Sequence, residues 1–204
     1  MPDPIEFSSL RERVWGPGES VEHPEGGRVW VRPPGFAEIR LLHGLLIAEI
    51  SPRAGTLETM ARVFAHNSDS FWLIEHLASE SETPTTVGFY AFVPLTTKGR
   101  AALHADSITT ADPPLSTLAP FGDVPAALYI WAIVARKLTR RLDPVIARAM
   151  GLRYAGIPLY ARVATAEGLK SGLGAGSRSI SEDAQIGIGS LIRLPARSRG
   201  RALP

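Results

Sequence analysis

A cluster of basic side chains follows the most apolar segment of the chain. Ten consecutive apolar residues over 126–135 lead into a stretch in which Asp143 is the only acid. The basic members of this stretch are Arg136, Lys137, Arg140, Arg141, Arg148 and Arg153. Cationic side chains beside a helix N-terminus are suited to bind phosphate groups, because charge-assisted hydrogen bonds and free backbone N–H groups act together there. A solvated basic helix face is the alternative interpretation of the same cluster.

Several other kinds of chemistry are excluded by residue type and spacing. The chain has no cysteine, so disulfides, thiolate metal ligands and cysteine nucleophiles are excluded. The five histidines lack metal-binding spacing, and we expect no metal. Glycines alternate over 171–176, but the following segment, 177–183, is predicted to be a loop and not a helix, which argues against a dinucleotide site. Aromatic residues interleaved with basic ones are missing, so nucleic acid is not an expected partner.

Length and charge distribution predict one domain with a basic end. The 204 residues carry 22 basic and 20 acidic side chains, and one domain of this length is ordinary. We expect a loop segment over 1–27, a single domain over 28–194 with an insertion at 96–125, and a basic, flexible tail over 195–204. The longest apolar run has ten residues, whereas a membrane span needs about 20. Because the first residues also lack a signal-peptide pattern, we expect a cytoplasmic protein without a membrane partner.

Hydrophobic periodicity predicts the elements that must position the basic cluster. Alternation predicts strands over 71–77 and 87–95, and a continuously apolar, β-rich run predicts a buried strand over 126–135. Further strands are predicted over 28–32, 158–164 and 185–194. Spacing of three and four predicts helices over 37–50, 56–67, 98–105 and 140–150, and a short one from Thr165. The long stretch over 96–125 is typical of a lid or binding loop. The main elements follow the order β-α-α-β-β-β-α-β-α-β, which is typical of an α/β (α+β) fold with a mixed sheet.

This order resembles that of the GCN5-related N-acetyltransferase (GNAT) superfamily, with this chain as a divergent member. The segments that carry the resemblance are 67–74 with 87–91, 129–134, and 165–175. The resemblance implies a mixed, mostly antiparallel central sheet with helices on both faces. It also implies an acyl-CoA-dependent N-acyltransferase whose co-substrate is acetyl-CoA and whose second partner is an amine-bearing acceptor.

The same resemblance implies where the CoA thioester binds. Its pantetheine arm would lie in a gap between two diverging strands, with residues 131–134 on one side and 160–164 on the other. Its pyrophosphate would bind the basic segment that follows. The implied cofactor-binding residues are Ile133, Val134, Arg136, Lys137, Leu138, Thr139, Arg140, Arg141 and Thr165.

Departures from the family pattern leave a second hypothesis open. Thr139 and Arg141 occupy positions where the family has glycine. Ser171 occupies the position of the tyrosine that in the family often protonates the leaving thiolate. Glu75 and Tyr129 are the alternative catalytic candidates, although strand residues of these types also serve structural roles. The alternative function is a non-catalytic binding or regulatory protein of the same fold. Trp15 and the apolar helix over 37–50 are candidate surfaces for a homodimer.

Overall fold

A computed structural model describes residues 21–22, 26–79, 81–109, 111–134, 154, 156–162, 178–179 and 190–194. Three α-helices lie within these residues: α1 (Ile39–Glu49), α2 (Leu57–His66) and α3 (Thr97–His104). The strands are β1 (Val21–Glu22), β2 (Arg28–Arg32), β3 (Phe71–Leu77), β4 (Thr85–Leu95), β5 (Ala127–Val134), β6 (Leu159–Arg162), β7 (Arg178–Ser179) and β8 (Leu191–Leu194). Short 3-10 turns span Phe36–Glu38, Ser68–Ser70 and Leu115–Thr117.

The described strands form one sheet in the order β1-β2-β3-β4-β5-β6-β8-β7. Neighbouring strands are antiparallel except for β5 and β6, which are parallel. A parallel pair needs a crossover connection, and the residues that join β5 to β6 mostly lie outside the described part of the chain. This arrangement confirms the expected mixed, mostly antiparallel sheet.

Local sequence signals explain why α1 and α2 form. On α1 the buried residues Ile39, Leu42 and Leu46 recur at helical spacing and face the sheet. The Thr56 side chain accepts a hydrogen bond from the Thr59 backbone N–H and so caps α2. Asn67 ends α2 and its side chain accepts from the Asp69 backbone N–H, which turns the chain into β3.

Side chains on the sheet divide into two buried clusters, one on each face. On β3 and β4, residues such as Phe71, Phe89 and Val93 point to the face covered by the described helices. Their neighbours Trp72 and Tyr90 belong to the cluster on the opposite face. This division follows from the two-residue period of a strand.

Most of the predicted elements are confirmed, and two loops require correction. The predicted loops over 1–27 and 177–183 contain the strands β1 and β7. A strand of two residues is too short to show a periodic pattern in the sequence. It forms because its backbone pairs with that of a neighbouring strand. The helices predicted over 140–150 and from Thr165 lie outside the described residues. None of the described helices has the length and apolar character needed to cross a bilayer.

Candidate functional site

Strand β5 is irregular at Trp131. Ala91 of β4 pairs with Ala132, but the next β4 residue, Phe92, pairs with Ile130, so Trp131 is an extra residue on β5. Such a β-bulge bends its strand and changes the alternation of faces. Tyr129 and Ala132 consequently both belong to the helix-side cluster although three positions separate them.

The pairing between β5 and β6 ends next to this bulge. The two strands pair only at Leu128–Leu159, Tyr129–Tyr160 and Ile130–Ala161, although both continue beyond these positions. The next β6 residue, Arg162, pairs with Leu191 of β8. Among the described residues, the β5 segment 131–134 therefore has β4 on one side and no β6 partner on the other. Its backbone groups on that side could pair with an extended ligand.

The side chain of Trp131 packs against the loop between α1 and α2. Its Nε1 donates a hydrogen bond to the Ala54 carbonyl oxygen at 3.1 Å. Its ring lies 5.8 Å from the Phe71 ring, centroid to centroid. A Cβ on Gly55 would lie 3.0 Å from Trp131 Cζ2, so glycine is the residue that lets the loop approach this closely. The indole therefore joins the bulge to the α1–α2 loop.

An open cleft of about 410 Å³ lies on the far side of this loop. Its wall includes Gly55, Glu58, Thr59 and Asp112, which come from the loop, from α2 and from the insertion. Thr59 Oγ1 donates to Asp112 Oδ1 at 2.9 Å, and the Arg62 guanidinium forms an ion pair with the same carboxylate. The insertion thus forms part of the cleft wall, and Gly55 separates the cleft from Trp131.

The four predicted site residues that the structure describes fall into different surroundings. Ile133 and Val134 lie on the part of β5 that pairs with β4 and has no described β6 partner, the first partly exposed and the second buried. Tyr129 lies on the part that pairs with β6 and is buried. The β4 partners of Glu75 and Tyr129 are seven positions apart, or about 23 Å at the rise of a strand. The structure does not bring these two catalytic candidates together, and their roles stay predictions.

The carboxylate of Glu75 belongs to a three-residue charge network. Arg32 donates to Glu75 Oε1 at 2.7 Å and to both carboxylate oxygens of Glu38, at 2.6 and 2.9 Å. Glu38 also accepts from the Gly35 backbone N–H at 2.7 Å. Hydrogen bonding by Arg32, with a smaller contribution from Gly35, lowers the pKa of Glu38, although partial burial opposes this. Glu75 thus shares the Arg32 guanidinium with Glu38, and its Oε1 already accepts a hydrogen bond.

The remaining predicted cofactor-binding residues lie outside the described part of the chain. They are Arg136, Lys137, Leu138, Thr139, Arg140, Arg141 and Thr165. Position 134 is described, so the basic segment begins two residues after the unpaired stretch of β5. Within the described ranges, no three His, Asp or Glu side chains lie close enough together to hold a metal ion.

Sequence reasoning missed the bulge and the cleft. Residues 126–135 are all apolar, so a change of face within them leaves no trace in the hydrophobic pattern. The cleft is built from three segments, and its contact between Thr59 and Asp112 spans 53 positions. Ser51, Pro52 and Gly55 are typical of a loop, but they do not reveal a cleft.

Comparisons with known proteins support the fold alone. No protein-family model and no curated protein match the sequence. Among solved structures, GphF, a GNAT-like decarboxylase in complex with isobutyryl-CoA, is similar at a TM-score of 0.50 and 15% identity, over 82% of this chain and 99% of that one. Mosquito arylalkylamine N-acetyltransferase like 5b has a TM-score of 0.48 and 11% identity, over 81% and 97%. A histone acetyltransferase HPA2 and related acetyltransferase from Corynebacterium glutamicum has a TM-score of 0.45 and 12% identity, over 83% and 98%. The chain therefore has a GNAT-like fold. This conclusion depends on GphF, whose TM-score of 0.50 is the highest of the three.

Proposed function

We propose that this protein is an acyl-CoA-dependent N-acyltransferase that uses acetyl-CoA as donor. The observation that supports the proposal is the β5 segment 131–134, which lies against β4 and, within the described part of the chain, has no β6 partner on its other side. It ends two residues before the basic segment that begins at Arg136. An edge that accepts an extended amide chain and a cationic segment that accepts a diphosphate are the two requirements of a CoA thioester.

The dimensions of the open segment suit the pantetheine arm. Four residues of β5 span about 13 Å, and the two that follow extend this distance to the basic segment. Pantetheine contains two amides, which can pair with the backbone of β5 as a strand would. The thioester would then lie near the bulge, and the diphosphate would bind Arg136, Arg140 and Arg141, while Thr165 stays a predicted cofactor-binding residue.

The reaction is a direct transfer between two bound substrates. The amine nitrogen attacks the thioester carbonyl carbon, the C–N bond forms, the C–S bond breaks, and CoA leaves as the thiolate, which takes up a proton. An alkylamine of pKa about 10.4 is neutral in roughly one molecule in 2,500 at pH 7, so deprotonation must be assisted. Holding both substrates in place supplies much of the remaining acceleration. Glu75 and Tyr129 stay predicted catalytic residues, and water held in the cleft is a further route for the proton.

The cleft beside Gly55 is the proposed acceptor site. Gly55 of the α1–α2 loop lines this cleft and also lies against the Trp131 ring, which belongs to the bulge. The cleft's Glu58 carboxylate is exposed and could attract an ammonium group, although Arg53 and Arg62 line the same cleft. An amine held there could reach a thioester placed at the bulge if the α1–α2 loop moved away from Trp131.

Ligand-induced stabilisation tests the proposal. Acetyl-CoA or CoA at 100 times its Kd should stabilise the protein by about 2.7 kcal/mol, which raises the Tm by several degrees for a domain of this size. The Arg136→Ala, Arg140→Ala double variant should lose most of this rise. The matched control is Arg197→Ala, Arg199→Ala, which removes the same charge from the tail and should keep the rise. A wild-type Tm that millimolar CoA and acetyl-CoA leave unchanged would contradict the proposal.

A second assay separates transfer from binding. Acetyl-CoA is incubated with arylalkylamines, polyamines and lysine peptides, and the release of free thiol is measured. Amine-dependent release supports the transferase. Binding of CoA without release for any amine favours the non-catalytic protein, in agreement with the missing glycines and tyrosine. Because the similar GphF is named a decarboxylase, thiol release is compared with the release of carbon dioxide from malonyl-CoA.

A further inference from the structure

We propose that the acceptor carries a carboxylate in addition to its amine, so that the protein selects amino acids over the corresponding simple amines. The inference rests on the proposed function, because it assumes that the cleft beside Gly55 receives the acceptor. It names the chemical class of that acceptor and assigns Arg53 as the residue that binds the carboxylate.

The cleft is lined by four charged side chains whose charges cancel. Arg53 and Arg62 are the two cations, and Glu58 and Asp112 are the two anions. A ligand without net charge suits such a lining better than a polyamine, which brings several positive charges, or a simple alkylamine, which brings one. An amino acid is a zwitterion and meets this requirement.

Two of these four charges are already used within the protein. The Asp112 carboxylate accepts a hydrogen bond from Thr59 Oγ1 at 2.9 Å and forms an ion pair with Arg62. The side chains of Arg53 and Glu58 have no such partner among the residues that the structure describes. Both side chains are exposed, so one cation and one anion remain for a ligand.

The backbone holds these two side chains at the same cleft. The Arg53 backbone N–H donates to Ser51 Oγ at 3.1 Å, and the Ala54 N–H donates to the Ser51 carbonyl oxygen at 3.1 Å. The loop that carries Arg53 is therefore a defined turn. Glu58 lies in the first turn of α2, which Thr56 caps. The carboxylate of a ligand can thus bond the Arg53 guanidinium while its ammonium group meets Glu58.

The size of the cleft agrees with a small acceptor. Its volume of about 410 Å³ lies near the lower end of the range for small-molecule sites, about 300–1,000 Å³. Pro52, Gly55 and Ala111 also line it, so the uncharged part of an amino acid has apolar surface to contact. A free amino acid therefore fits both the volume and the charges.

The experiment compares pairs of amines that differ only in one carboxylate. Each pair consists of a common amino acid and its decarboxylated form, such as lysine with cadaverine, histidine with histamine, and phenylalanine with phenethylamine. KM and kcat for each amine are measured from thiol release at a saturating concentration of acetyl-CoA. In a pair that reacts, we expect the amino acid to have a KM at least about tenfold lower, because a hydrogen bond between charged groups favours binding by about that factor.

Substitutions in the cleft show which side chain makes this distinction. Arg53→Gln should raise the KM of the amino acid about tenfold and leave that of the simple amine within about threefold, with little change in kcat. Glu58→Gln should raise the KM of both members of a pair, because both carry an ammonium group. The matched control is Arg40→Gln, since Arg40 is also an exposed arginine but lies on α1, outside the cleft. This control should leave every KM unchanged.

Other outcomes overturn the inference and can be told apart. If both members of each pair react equally well, or if Arg53→Gln raises both KM values alike, the inference fails and the proposed transferase stands. If CoA binds but no amine releases thiol, calorimetric titration with the same amines decides. Absence of binding, or binding that Arg53→Gln leaves unchanged, then overturns the inference. Binding of an amino acid that depends on Arg53, in a protein that binds no CoA, would support the inference about the cleft and contradict the proposed function.

Discussion

At the scale of single residues, Arg32 explains why a carboxylate can lie inside the sheet. Glu75 is 8% exposed, and a buried carboxylate is costly unless it is paired and hydrogen-bonded. Arg32 lies opposite Leu73, two positions along β3 from Glu75, and its planar guanidinium can bond Glu75 and Glu38 at once. The network therefore ties β2 and the start of α1 to β3.

This network predicts how stability depends on pH. The pKa of Glu38 is lowered in the folded protein from its ordinary value of 4.5, chiefly because the ionised form bonds Arg32. A lowered pKa stabilises the fold above the unfolded value, and this stabilisation is lost as the pH falls through the folded value. We expect Glu38→Gln to reduce the free energy of unfolding at pH 7 by about 1 kcal/mol, and the difference from wild type to shrink towards pH 3.5. Urea unfolding at several pH values measures this, and a difference that stays constant from pH 7 to pH 3.5 would refute it.

At the scale of elements, the bulged β5 depends on a glycine in the neighbouring strand. A Cβ at Gly88 of β4 would lie 2.0 Å from the backbone oxygen of Val134 and 3.1 Å from Ile74 Cδ1. No side-chain rotation relieves a clash with backbone. Gly88 therefore allows the open end of β5 to lie close to β4.

We expect Gly88→Ala to destabilise the fold by about 1–3 kcal/mol, because the two strands must separate to admit the methyl group. Since the displaced segment includes the proposed pantetheine edge, affinity for CoA should fall as well. The control is Gly44→Ala: Gly44 lies on α1 with open space around its Cβ position, and alanine there should stabilise the helix by about 0.5–1 kcal/mol. Urea unfolding of both variants tests this. If Gly88→Ala is as stable as the wild type, the missing side chain at Gly88 is not what lets β4 and β5 lie close together.

At the scale of the whole molecule, the insertion over 96–125 is part of the core rather than a separate lid. Leu103 and Leu118 belong to the helix-side buried cluster. The Asn67 side chain donates to the Ala119 carbonyl at 3.0 Å, and the Phe121 backbone N–H donates to the His66 carbonyl at 3.1 Å. These bonds join the insertion to the turn between α2 and β3.

Asn67 is the residue through which this connection can be tested. Asn67→Ala removes the donor to Ala119 and the acceptor for the Asp69 N–H, and leaving buried backbone groups unpaired costs about 1–3 kcal/mol each. We expect a loss of about 2–4 kcal/mol in the free energy of unfolding and faster hydrogen exchange at 117–121. Thr97→Ala, exposed on α3, should change stability by less than about 0.5 kcal/mol. Unchanged exchange at 117–121 in Asn67→Ala would show that the Asn67 side chain does not hold the insertion in place.

Most described elements could be predicted because their signals are local. The helix cap at Thr56, the apolar spacing of α1 and the alternation in β3 and β4 each depend on residues within a few positions of one another. The candidate site could be predicted only in part. Ile133 and Val134 were placed beside the proposed gap because the neighbouring strands resemble known ones, whereas no local signal connects Glu75 to Arg32, which lies 43 positions away.

Sequence alone determined the longer of the described helices and strands, and that a basic segment follows the most apolar one, because periodicity and charge belong to the chain itself. Tertiary structure decided that Trp131 is an extra residue in β5, that the described β6 residues pair with β5 only as far as Ile130, and that Gly55 contacts the indole. A continuous apolar run is compatible with either register, so only the partners on both sides of β5 select one. The gap on which the proposed function depends is thus a property of strand pairing and not of any single residue.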